Sequence, residues 1–142
     1  IIVTAGGKNI APQPIENLVK TNSFVLSAVM IGDKRKYPIM LVVPNMETLR
    51  KWAEAEGMTG RTDAALLGDI VVHNKLTGEI KKTLRDLAQY EMPKKFLILD
   101  RDFSIEAGEL TPTLKVKRRV VGKIHQARIE ELYAAGGVET VY

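Results

Sequence analysis

Four cations fall within five residues in Leu110-Thr111-Pro112-Thr113-Leu114-Lys115-Val116-Lys117-Arg118-Arg119-Val120. Pro112 can continue neither a helix nor a strand, so it stiffens a surface turn just ahead of them. Val120, Val121, Ile124 and Ala127 then recur at helical spacing, which predicts a helix and puts Lys115 at a loop-to-helix junction. A compact ammonium on a long stem at such a junction can reach out and neutralise an anion. The same run also fits the solvated face of a terminal helix.

A second candidate is the turn Ala5-Gly6-Gly7-Lys8-Asn9, between a short strand over 1–3 and a returning strand over 10–12. Its glycines permit positive φ and close approach of backbone to another molecule. An ordinary hairpin turn would use them equally well.

Other chemistries find little to work with. There are no cysteines, so thiolate metal sites, disulfides and a cysteine nucleophile are excluded. His73 and His125 have no metal-type partner at helical spacing, and no metal site is expected. Asp100, Asp102, Glu106 and Glu109 read as solvated loop carboxylates without a partner to perturb them. Neither a Gly-x-Ser-x-Gly elbow nor a Gly-x-x-x-x-Gly-Lys-Ser/Thr phosphate loop is present.

The elements that position these turns belong to one α+β domain spanning 1–142. A small antiparallel hairpin comes first, then a short central sheet flanked by helices. A helix opened by Pro14 and carrying Glu16 runs to about Lys20. Apolar runs at 25–31 and 39–43 form an antiparallel core pair, and 96–99 forms another strand. Asn45 caps a helix that Gly57 stops, with Trp52 on its core side, and Thr62-Asp63 caps a short one through Leu67. A helical face of Leu76, Ile80, Leu84, Leu87 and Ala88 extends from Asp69 to Gln89, and Gly78 interrupts it, which allows either a break or a late start there. The last helix is expected over 118–134, released into a frayed tail by Gly136-Gly137.

At 142 residues, 45% apolar and 27% charged, the chain suits a single globular domain. Its longest apolar runs are too short to span a bilayer. The net charge of +4 favours an anionic partner, whether nucleic acid or a phosphorylated small molecule. Because the sequence opens on Ile-Ile-Val inside a strand pattern, we expect a piece of a longer protein. The lack of cysteine fits the cytoplasm.

Glu109-Leu-Thr-Pro-Thr-Leu-Lys115-Val-Lys-Arg118 resembles the C-terminal signature of the adenylate-forming ligases, in the version found in long-chain fatty-acid–CoA ligases. Leu114 stands where most of that superfamily has Gly. Ile2-Val3-Thr4-Ala5-Gly6-Gly7-Lys8-Asn9-Ile10-Ala11-Pro12 resembles the opening of the same ligases' C-terminal domain. Tyr90-Glu-Met-Pro-Lys-Lys-Phe96 with Asp102-Phe103 adds a third match, and the likeness runs from Ile1 to about Tyr133.

The resemblance implies the mobile C-terminal domain of an ATP-, Mg²⁺- and CoA-dependent, AMP-forming ligase acting on a fatty acid. Lys115 would be the adenylation lysine, with Arg118 supporting its loop. After domain rotation, Gly6, Gly7 and Lys8 would face CoA during thioester formation. The large N-terminal domain and the hinge residue would lie upstream, the piece alone would be inactive, and the parent enzyme would be cytoplasmic or peripheral to a membrane. Two alternatives stay open. One is another adenylate-forming enzyme that acylates a carrier protein. The other is a non-catalytic basic module binding nucleic acid, which the lack of interleaved aromatics around Lys115 disfavours.

Overall fold

The computed structural model describes residues 1–135. Strand β1 (Ile2–Val3) pairs antiparallel with β2 (Asn9–Ile10). Helix α1 (Pro12–Val19) follows, with proline in its first turn, where a missing N–H costs nothing. Strands β3 (Val25–Ile31) and β4 (Ile39–Pro44) form the expected antiparallel pair. Helices α2 (Met46–Ala55), α3 (Asp63–Leu67) and α4 (Ile70–Thr83) then cross over to β5 (Lys95–Ile98), which lies parallel to β4. Helices α5 (Arg118–Ile124) and α6 (Gln126–Ala134) close the described chain.

The sheet order is β3-β4-β5, so β4 is central and all six of its residues are buried. Strand alternation splits them between two layers. Met40 and Val42 join Ile10, Ile15, Val19, Met30, Ile80 and Leu84, beneath the β1–β2 hairpin, α1 and α4. Ile39, Leu41 and Val43 join Val29, Phe103, Val121 and Ile129, beneath α5 and α6. A satellite core of Leu49, Ala53, Leu66, Val72 and Leu76 binds α2, α3 and α4 together. The β1–β2 hairpin docks on the β3–β4 turn, where Lys34 N–H donates to the Val3 carbonyl (2.8 Å) and Ala5 N–H to that of Arg35 (2.8 Å).

Two helices differ from expectation. Helix α4 runs through Gly78 without a break and ends at Thr83, ahead of Leu87 and Ala88. Asp69 caps it by accepting from Val71 N–H (2.7 Å), and burial of Val72, Leu76, Thr77 and Ile80 outweighs the roughly 1 kcal/mol cost of the glycine. The chain then turns so that Leu87 and Met92 pack on the first layer. The terminal helix is two helices, broken at His125. The break lets α5 pack on β3 and α6 on β5. It buries Val121 and Ile129 and leaves Ile124 and Ala127 of the expected stripe exposed. The tail expected at Gly136-Gly137 lies outside the described residues.

Candidate functional site

Lys115 sits on a hairpin turn rather than directly at a helix start. Leu110 and Val116 bridge antiparallel, and Leu114 N–H donates to the Thr111 carbonyl (2.8 Å). Thr111 N–H donates to the Lys115 carbonyl (2.8 Å), and the Thr111 hydroxyl accepts from Lys115 N–H (3.0 Å). A four-residue turn ending in a left-handed residue makes a common three-residue hairpin loop. The left-handed residue here is Leu114, at φ 65°. For a side-chain-bearing residue that conformation costs about 1–2 kcal/mol. The Lys115 side chain is exposed.

The glycine turn has the same scaffold. Gly7 N–H donates to the Thr4 carbonyl (2.9 Å), Thr4 N–H to the Lys8 carbonyl (2.9 Å), and Lys8 N–H to the Thr4 hydroxyl (3.1 Å). Its left-handed position is Gly7, at φ 84°. Thr4-Ala5-Gly6-Gly7-Lys8 and Thr111-Pro112-Thr113-Leu114-Lys115 are thus two builds of one lysine-presenting loop. No atom lies within 4 Å of where a Cβ on Gly6 or Gly7 would sit, so packing within the domain does not require glycine at Gly6. The Lys8 ammonium lies over the Tyr90 ring, 5.3 Å from its centroid. The two loops line separate grooves: Lys115 shares one with Gln13 and Asn17 of α1 and with Lys20 just beyond it, whereas Gly6 and Lys8 share another with Tyr37, Gln89 and Tyr90.

Two buried carboxylates anchor the Lys115 loop, one at each end. Beyond it, Arg118 forms a two-pronged ion pair with Glu16 of α1 and donates to the Met30 carbonyl (3.2 Å). Before it, Glu109 is fully buried, in contrast to the solvated carboxylate expected from its loop sequence. Its oxygens accept two bonds from Arg101 (2.7 and 3.1 Å) and one from Ser104 N–H (3.1 Å), and its carbonyl accepts from Lys117 N–H (2.7 Å). Burial alone would raise the Glu109 pKa, but the bonds from Arg101 and Ser104 hold it below the ordinary carboxylate value. The buried His125 Nε2 faces Glu109 at 3.7 Å without a hydrogen bond. Burial lowers the His125 pKa, against the opposing pull of Glu109. The pattern of residues carries no signal for Glu109 and its partners, since Arg101 and His125 stand at no helical or strand spacing from it.

Arg118 therefore anchors the loop and is not a free cation in a continuous basic face. Lys115, Lys117 and Arg119 remain exposed. No cluster of three or more potential metal ligands occurs among the described residues, nor is any helix there long and apolar enough to cross a membrane.

Comparison with known proteins shows the family of the chain. Residues 1–136 match the family model described as the AMP-binding enzyme C-terminal domain. A long-chain-fatty-acid–CoA ligase of Mycobacterium tuberculosis is 35% identical over 94% of this chain, which spans 22% of that protein's length. A long-chain-fatty-acid–CoA ligase of Mus musculus is 34% identical over 94% of the chain, which spans 23% of that protein's length. Among solved structures, the adenylation domain of carboxylic acid reductase from Segniliparus rugosus, determined with AMP and a co-purified carboxylic acid, superposes with TM-score 0.72 at 28% identity. That match covers 94% of this chain and 19% of the other. The fold recurs in the adenylation domain of a carboxylate reductase from Mycobacterium chelonae (TM-score 0.76, 22% identity, 94% and 19% covered). The chain spans about a fifth of the length of these proteins and belongs to the C-terminal domain family of the AMP-binding, adenylate-forming enzymes.

Proposed function

We propose that this chain is the mobile C-terminal domain of an AMP-forming long-chain fatty-acid–CoA ligase, and that its two lysine-presenting loops serve the two half-reactions in turn. The observation carrying this reading is that the matched domain holds an exposed Lys115 on a loop pinned at both ends by buried carboxylates. In the first half-reaction a fatty carboxylate oxygen bonds to the α-phosphorus of ATP and the bond to the leaving pyrophosphate breaks. Two anions must meet and charge grows on the phosphoryl oxygens. An ammonium already aimed there lowers the barrier without reorganising, because Arg118 and Glu109 hold the loop in advance. Mg²⁺ travels with the nucleotide in this reading, and the acyl pocket lies in the larger domain.

In the second half-reaction the CoA thiol sulfur bonds to the acyl carbon and AMP leaves. Domain rotation would withdraw Lys115 and bring forward the Gly6-Gly7 loop. The space around Gly6 supports that use, since the loop leaves backbone uncovered for a thiol arm to pass. Lys8 would meet CoA phosphate.

The test is Lys115→Ala in the full-length enzyme, with each half-reaction assayed separately and acyl-adenylate supplied for the second. Adenylation should fall by about 10²–10³-fold while thioester formation persists. Survival of both steps would remove Lys115 from the chemistry. The isolated domain should make no thioester.

Transfer to carrier-protein pantetheine in place of free CoA is a second reading. It is favoured by the likeness to the carboxylic acid reductase A-PCP didomain of Segniliparus rugosus (27% identity, TM-score 0.71). Comparing free CoA with a pantetheinylated carrier as acceptor separates the two.

A further inference from the structure

The two loops share every backbone hydrogen bond of the turn but differ at the left-handed position. Gly7 takes φ 84° without steric cost, whereas Leu114 is held at φ 65°. Leu114 is also 66% exposed, so within this domain its side chain gains little burial to offset the strained backbone. Glycine or asparagine would serve the isolated turn better. A residue that is both strained and solvated, and covalently adjacent to the exposed Lys115, signals a contact made in another state of the protein.

We propose that Leu114 is a positioning residue for Lys115: when the domain closes for adenylation, its side chain packs against an apolar surface of the larger domain of the same enzyme and so fixes the ammonium. This rests on the adenylation role proposed for Lys115. The partner follows from proportion and from chemistry. This chain spans only 22% of its relative's length, so most of such an enzyme lies outside it. The groove beside Leu114 is lined mainly by polar side chains, Gln13, Glu16, Asn17 and Lys20 among them, with Ala28 and Val116 as its apolar part, and Leu114 itself stays largely exposed. One leucine offers far too little apolar area to hold a bilayer, but it suffices as a knob for one preformed pocket. The contact is made only on closure, so it acts on the rate of the adenylation step rather than on folding.

The experiment uses the full-length enzyme with Leu114→Gly, Leu114→Asn and Leu114→Met. Gly and Asn relieve the backbone and remove the apolar knob, whereas Met keeps the knob. The expected result is an adenylation kcat lowered about tenfold or more in the Gly and Asn variants, the loss of one buried leucine-sized contact. KM for ATP should change little, melting temperature should hold or rise, and Met should restore most of the rate. Thioester formation from supplied acyl-adenylate should not share the loss. Unchanged or faster adenylation in Leu114→Gly overturns the proposal. So do equal losses in all three variants. Lys115→Ala run alongside separates the two ideas. If that variant loses adenylation while Leu114→Gly does not, only the role of Leu114 fails. If Lys115→Ala is harmless, the adenylation reading fails first and carries this one with it.

Discussion

The ion pair between Arg118 and Glu16 occupies the place of a missing strand. Met30 N–H on the free edge of β3 donates to Glu16 (2.6 Å), and the Met30 carbonyl accepts from Arg118 (3.2 Å). An open sheet edge is thereby satisfied by two side chains from α1 and α5, and the same contacts fasten the exit of the Lys115 loop.

Glu16 is nearly buried, so Glu16→Gln strands the guanidinium and weakens the edge. We expect a loss of about 2–3 kcal/mol, less than for a fully buried pair because Arg118 remains a third exposed. Urea unfolding measures it. A double-mutant cycle with Arg118→Met should show coupling above about 1 kcal/mol, and simple additivity would contradict the pairing.

His125 and Glu109 predict acid sensitivity. Both have pKa values lowered by folding, so the unfolded chain binds more protons and stability rises with pH. The His125 contribution is present above about 6.5, the ordinary imidazole value, and fades as pH falls through its lowered folded value. The Glu109 contribution fades further down, below the ordinary carboxylate range. His73 is also lowered by burial and acts in the same sense. In His125→Gln, unfolding free energy should depend less steeply on pH as it falls below about 6.5 than in the parent. An unchanged slope would mean that His125 is protonated freely in the folded protein.

Lys95 is buried, and its ammonium donates to the carbonyls of Leu132 (2.9 Å) and Ala135 (2.6 Å) at the end of α6. A cation there satisfies orphan carbonyls and opposes the helix dipole. Lys95→Met keeps the stem and removes the charge, so it should cost about 1.5–3 kcal/mol. Hydrogen exchange should quicken selectively in α6. A uniform change across all helices would indicate a packing defect in place of a lost cap.

The glycine loop separates shape from access. Gly7→Ala should destabilise by about 1–2 kcal/mol, because at φ 84° a Cβ carries a steric cost that glycine avoids. Gly6→Val adds bulk where no neighbouring atom lies within 4 Å, so thermal stability should change little. Thioester formation should nevertheless slow while adenylation is spared. Equal loss in both half-reactions would speak against a thiol path at this loop.

Much was legible from local pattern. Apolar runs marked β3 and β4, Asn45 and Thr62 marked helix starts, and Pro112 marked a surface turn ahead of the cations, although local pattern put Lys115 at a helix junction rather than on that turn. The wording of the two loops carried the family resemblance, which the match over 1–136 bears out. These features depend on a few neighbouring residues, so the order of amino acids was enough to determine them. Tertiary structure decided which charges are anchors. Arg118 meets Glu16 across 102 positions, and Glu109 escapes solvation only because chain folding brings Arg101, Ser104 and His125 around it. It also decided the break at His125, where packing on two different strands overrides a continuous helical pattern, and the left-handed backbone at Leu114, which the closing bonds of the turn impose against the residue's own preference.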